Sequence, residues 1–153
     1  MVELANKNDI EILTELRLEY TQDDLGELNA EELKKFKQEL PAYFERNLNK
    51  TIFCYLIREG EEVAACAFLL VTEKPMSPKF FTGKTGTVLN VYTKPEYRRR
   101  GYARKIMGKL LQDAAEMELS PVELKATDDG CALYKSLGFV DDVSKYHPMK
   151  WTM

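Results

Sequence analysis

This sequence predicts a mixed α/β (α+β) domain, with a central, mostly antiparallel sheet of six or seven strands flanked by about four helices. Three observations lead there. Two apolar, aromatic-rich runs in the first half are separated only by a Gly-Glu turn; apolar residues recur at helical spacing in four places; and strand-like and helix-like segments alternate from residue 87 onward. With 153 residues, 44% of them hydrophobic and 31% charged, the chain suits one globular domain spanning 1–153 and built on a single core.

The elements follow in order. "VELA" (2–5) reads as a short strand, and Asn8 or Asp9 caps a helix in which Ile10, Leu13, Leu16 and Tyr20 share a face up to about Gln22. Leu33, Phe36, Leu40, Phe44 and Leu48 mark a second helical pattern, which Pro41 should kink or divide in two. "TIFCYLIRE" (51–59) and "EVAACAFLLVTE" (62–73) form a hairpin of buried strands, and "KPMSPKFFTGKTG" (74–86) is a long loop. "TVLNVYT" (87–93) is a strand stopped by Lys94 and Pro95. Ala103, Ile106, Met107, Leu110, Leu111, Ala114 and Ala115 then form one stripe of a long amphipathic helix. Pro121 lies beyond its end, "VELKA" (122–126) is a short strand, and a helix through Leu133, Tyr134 and Leu137 ends with Gly138 as its C′ residue. "GFV" (138–140) opens a further strand and "MKWTM" (149–153) is read as closing the sheet.

Composition removes several function classes. Three widely spaced cysteines (Cys54, Cys66, Cys131) without a CxxC pair fit neither a disulfide framework nor a zinc site. The single histidine, His147, argues against a histidine-based metal centre, so no metal is expected. No apolar run approaches the roughly 18–20 residues that span a bilayer. The opening "MVELANKNDIEIL" is too acidic for a secretory signal, so a cytoplasmic protein without membrane contact is expected. A homodimer is left open.

The charge distribution points to the site. Between Lys94 and Lys109 there are seven bases against one acid, Glu96, a window of +6 in a chain whose formal charge is −3. These bases centre on "YTKPEYRRRGYAR" (92–104), where a strand gives way to a helix. The first N–H groups of a helix lack internal partners and carry the positive end of its dipole. A phosphate or pyrophosphate is well satisfied there. Gly101 lets backbone approach a ligand without a Cβ, Ala103 leaves room beside it, and Arg98, Arg99, Arg100 and Arg104 surround it with charge. A solvated basic face and a nucleic-acid patch are the other readings of such a run. Against nucleic acid, the charge is local, the rest of the chain is acidic, and few aromatics interleave with the bases.

"VYTKPEYRRRGYARKIMGKLL" resembles the acetyl-coenzyme A loop of the GCN5-related N-acetyltransferase (GNAT) family, whose Arg/Gln-x-x-Gly-x-Gly/Ala pattern is filled by Arg98, Gly101 and Ala103. "LYKSLGF" (133–139) is similar to a second element of that family, about 30 residues on and separated by one strand. The strand-then-helix opening fits as well, so the resemblance covers nearly the whole chain. It implies a GNAT-like fold and acetyl-CoA as co-substrate. The pyrophosphate would lie on the loop residues Arg98, Arg99, Arg100, Gly101, Tyr102, Ala103 and Arg104, and the pantetheine arm along Val91, Tyr92 and Thr93. Tyr134 matches the family's general acid toward the coenzyme sulfur, and a phenol with pKa near 10 suits a thiolate of similar basicity.

Two positions depart from the family pattern. "TVLNVYT" has no glutamate to act as base; Asn90 can orient acceptor or water but cannot take the proton. Thr127 stands where relatives often place a coenzyme-touching asparagine and can still hydrogen-bond the coenzyme there, and "DDG" (128–130) reads as the cap of the last helix. The missing carboxylate keeps open a catalytically silent, acyl-CoA-binding sensor, and the donor could be a longer acyl group. A primary-amine acceptor, small molecule or protein, is implied, placed near the first two helices and the 74–85 loop. Asp23, Asp24, Glu27 and Glu31 there would favour a cationic amine or simply form a solvated face.

Overall fold

The computed structural model describes residues 1–153. Strands β1 (Val2–Leu4), β2 (Ile52–Glu59), β3 (Glu62–Glu73), β4 (Lys84–Thr93) and β5 (Val122–Glu123) form one sheet in sequence order. All neighbours pair antiparallel except β4 and β5, which run parallel. Helices α1 (Ile10–Leu25) and α2 (Ala30–Asn47) precede β2, α3 (Tyr102–Glu116) connects β4 to β5, and α4 (Asp128–Ser136) follows.

The strands β2 and β3 are buried on both faces, which explains their unbroken apolar runs. One face packs Leu13, Leu16, Phe44 and Leu48 of α1, α2 and the following residue against Cys54, Leu56, Cys66 and Phe68. The other packs Ile106, Met107, Leu110 and Ala114 of α3 against Tyr55, Ala67, Leu69 and Val88. Ile106, Met107 and Leu110 are fully buried, each worth about 1.5–3 kcal/mol of transfer free energy. The stripe read from the sequence is therefore the face α3 buries.

Several boundaries differ from the sequence expectation. The cap before α1 is built one turn earlier: Asn6 Oδ1 accepts from the Asn8 N–H, and Asp9 Oδ2 accepts from the Asn6 N–H, around a 3₁₀ turn at Lys7–Asp9. The chain stays helical through Pro41, because the Asn29–Glu32 capping box starts α2 firmly and Phe44 anchors the turn beyond the proline. β4 begins three residues early at Lys84, drawn into the ladder by Thr72↔Thr85 and Glu73↔Lys84.

The largest difference is at the C-terminal end. β5 pairs for only two residues, Gly86↔Val122 and Thr87↔Glu123. Neither "GFV" nor "MKWTM" forms a strand, so the sheet has five strands instead of six or seven. The intervening "DDVSKYHP" offers little to bury and ends in a proline without a donor, and Val143, Met149 and Trp151 are exposed. The truncated β5 leaves β4 from Val88 to Thr93 with no strand on that side.

Candidate active site

The end of β4 and the start of α3 are joined by a sharply constrained turn. Pro95–Tyr97 forms a 3₁₀ turn, held to the β2–β3 hairpin by Glu62, whose carboxylate accepts from Tyr97 Oη (2.8 Å) and Lys94 Nζ (3.0 Å). Arg99 (φ 65°) and Gly101 (φ 77°) are both left-handed, separated by one residue. Such alternation turns successive backbone N–H groups toward one concavity, a shape that accepts anions. Gly101 is also the N-cap of α3 and has no side-chain cap, so the first N–H groups of the helix have no side chain competing for them. A Cβ at Gly101 would meet no protein atom within 4 Å, so the space in front of it is open.

The arginines divide by role. Arg98 folds back, its Nε donating to the Thr93 carbonyl (2.9 Å) over the Tyr92 ring. Arg100 lies over Tyr97 and donates to the Glu96 carbonyl (3.4 Å). Arg104 reaches across to α4, donating to Ser136 Oγ at 2.7 Å. None of the arginines from 98 to 104 makes an ion pair, so their charge is uncompensated. Tyr102 and Ala103 are half-buried in the first turn of α3, with Tyr102 Oη bonded to Glu59.

Within β4 the pairing with β3 skips a residue: Phe68 faces Leu89 and Cys66 faces Tyr92. Two β4 residues, Asn90 and Val91, thus oppose one on β3, a β-bulge, with Asn90 at φ 55°. Asparagine tolerates this left-handed conformation better than most residues. The bulge turns Asn90 to the same side as Leu89. Its Nδ2 approaches the Leu16 carbonyl (3.5 Å) and Cys66 Sγ (3.6 Å), and its Oδ1 accepts from Arg17 Nη1 (3.2 Å). Val91 faces the opposite core, under α3, where Tyr134 also packs.

Tyr134 is set by the end of α4. The Phe139 N–H donates to the Tyr134 carbonyl and the Gly138 N–H to that of Lys135, with Gly138 at φ 100°. This is a Schellman closure, and its hydrophobic contact is the edge-to-face pair Tyr134–Phe139 (5.9 Å). The run "LYKSLGF" is thus a device for fixing one tyrosine ring. Gly130, one turn earlier, makes room for that ring: a Cβ there would lie 2.9 Å from Tyr134 Cε2. Burial, then the neighbouring Tyr20 phenol, raise the pKa of Tyr134 above the ordinary tyrosine value. Thr127 caps α4, its Oγ1 accepting from the Gly130 N–H (3.3 Å); Asp128 and Asp129, expected to cap, instead occupy the first turn beside the positive helix end.

Sequence reasoning missed three residues on the α1–α2 side. Arg17 donates to Asn90 and lies 6.0 Å from the Tyr20 ring; Tyr20 helps to raise the Tyr134 pKa; and Tyr43 of α2 has its pKa raised by burial and by Cys54, with the Arg17 charge pulling it down. A signal existed. Arg17 completes the i, i+3, i+4, i+7 stripe of Leu13, Leu16 and Tyr20, placing a cation on an inward face. The acids Asp23, Asp24, Glu27 and Glu31 are all exposed.

The family model for the acetyltransferase (GNAT) family matches residues 11–139. The chain belongs to the GNAT family. A predicted acetyltransferase of Clostridium acetobutylicum, solved with acetyl-CoA, is 26% identical, with a TM-score of 0.84 over 98% of this chain and 95% of that one. A GCN5-related N-acetyltransferase of Ralstonia eutropha JMP134 shares the fold at 23% identity, with a TM-score of 0.80 over 97% of each chain. Among curated proteins, an uncharacterized N-acetyltransferase, ycf52, of Pyropia yezoensis is 29% identical over 69 residues, 45% of this chain and 40% of that protein. The aligned part thus spans well under half the length of that relative. The GNAT match extends across the loop 98–104, the Asn90 bulge and Tyr134.

Proposed function

We propose that this protein transfers the acetyl group of acetyl-CoA directly to a primary amine. The observation that carries the reading is the pair of left-handed residues, Arg99 and Gly101, opening an uncapped α3 N-terminus at the end of a stretch of β4 that has no strand on its β5 side. The coenzyme pyrophosphate would accept from the backbone N–H groups of Arg99–Arg104, within the field of arginines that lack acidic partners. The amide-bearing pantetheine arm would add along Val91–Thr93, as a strand adds to a free sheet edge.

The amine nitrogen attacks the thioester carbonyl, whose developing oxyanion a backbone N–H near Val91 would stabilise at the bulge. As the tetrahedral intermediate collapses, the C–S bond breaks and Tyr134 gives its phenolic proton to the departing thiolate. Its raised pKa keeps Tyr134 protonated beyond the ordinary tyrosine range, as a proton donor requires. β4 carries no carboxylate, which favours proton removal from the amine through water. The same observation supports a second reading, an acyl-CoA sensor without turnover.

Thermal-shift titration with acetyl-CoA, followed by thiol release across a panel of primary amines, tests both. A raised melting temperature with amine-dependent thiol release is the expected result. A thermal shift without thiol release on any amine would favour the sensor, and no shift would overturn both.

A further inference from the structure

We infer that Arg17 is a recognition site for a carboxylate on the acceptor, so that the acetylated amine belongs to an amino acid; this deepens the transfer reading and rests on it. Arg17 is half-buried on the inward face of α1, yet no carboxylate lies within 4.0 Å of its guanidinium. Its side chain makes one hydrogen bond, from Nη1 to Asn90 Oδ1, out of five available donors. Glu15 and Glu19, two residues to either side of it in sequence, line a groove with Glu61, Glu62 and Lys94 and make no ion pair with it. Beside Arg17 stand the Tyr20 ring and the neutral Asn90 amide, and its charge acts on the Tyr43 phenol.

A guanidinium drawn partly out of water and left without an anion is costly in the free protein and strongly disposed to bind one. A carboxylate matches its fork with two parallel N–H···O bonds, and charge-assisted bonds of this kind are among the strongest available. The location of Arg17 at the β4 bulge bears on what the anion is attached to. Arg17 bonds to Asn90, whose chain neighbour Val91 lies where the thioester carbonyl would be held. A carboxylate held by Arg17 beside Asn90 would place an amine of the same small molecule next to the bulge. That placement suits an α-amino acid.

Thiol release from acetyl-CoA should be compared for matched pairs, phenylalanine with phenylalaninamide and methionine with methioninamide, on wild type, Arg17→Gln and Arg17→Lys. The wild type should prefer each acid over its amide by about 10- to 100-fold in kcat/KM, mostly through KM. Arg17→Gln should abolish that preference, lowering the acids far more than the amides, with the KM for acetyl-CoA unchanged, and Arg17→Lys should restore part of it. Equal use of acid and amide by wild type, which needs no variant to fold, would overturn the inference, as would equal impairment of both by Arg17→Gln. Should no amine be acetylated, the transfer reading fails separately. Calorimetry of N-acetylphenylalanine and N-acetylphenylalaninamide on coenzyme A-loaded protein then decides Arg17: selective binding of the acid sustains its role, and no selectivity ends it.

Discussion

The loop from Arg98 to Arg104 and the cluster around Arg17 both hold positive charge, but they are made by opposite means. The loop is local and mostly backbone: two left-handed residues, an uncapped helix start, and arginines that lean on adjacent carbonyls and rings. The Arg17 cluster is assembled from residues 17, 20, 43 and 90, brought together only by the packing of α1 and α2 on the sheet. A site built from peptide N–H groups tolerates change in its side chains but not in its φ angles. A site built from converging side chains is the reverse. Donor chemistry shared by a family suits the first construction, and a private acceptor suits the second.

The comparison is broken most directly at the loop. Gly101→Glu puts bulk and negative charge into the concavity and forces a side chain onto φ 77°. Loss of two or more charge-assisted hydrogen bonds should weaken coenzyme A binding about 1,000-fold by calorimetry. Affinity within threefold of wild type would show that the loop holds no phosphate.

Tyr134→Phe should lower kcat about 100-fold, within the range for loss of a general acid, while coenzyme affinity stays nearly constant. The pH profile sharpens this. Because burial favours the neutral phenol, the alkaline limb of kcat owed to Tyr134 should lie above the ordinary value near 10 and vanish in the variant. The same sign governs stability: the part due to the raised tyrosines is intact below pH 10 and declines as pH rises through their folded-state values, which urea midpoints would record.

Much of this was legible beforehand, and the reasons are physical. The turn at Gly101 that opens α3 could be read because one local run encodes it, and the α3 stripe because a 3.6-residue period survives in any surroundings. Gly138 was read as a C′ residue from its place after Leu137. Gly130 was not read: its need for space arises from a tyrosine ring one turn away, which spacing alone does not reveal. The final strands were overread, since "GFV" and "MKWTM" look strand-like but β5 gives them only two paired residues to extend from. The β4 bulge left no mark in "TVLNVYT" beyond an asparagine in an apolar run.

Gly130→Ala tests the hidden requirement. The added methyl must push the Tyr134 ring aside, so kcat should fall about tenfold. Alanine's higher helix propensity acts in the opposite direction on the fold, by up to about 1 kcal/mol, so stability should hold or rise. Unchanged turnover would mean the ring position is not critical. The smallest effect is expected at the α4 cap, where Thr127→Ala should cost about 1 kcal/mol in urea denaturation and Thr127→Ser should restore it. A wild-type midpoint for Thr127→Ala would remove the cap from the account.

Amide hydrogen exchange with and without coenzyme A reports on the backbone groups themselves. Protection confined to the amides of 98–104 and the neighbouring β4 residues 91–93 is the result this structure predicts. Protection that left those amides untouched, and appeared instead in the groove between Glu15, Glu19 and Lys94, would contradict it.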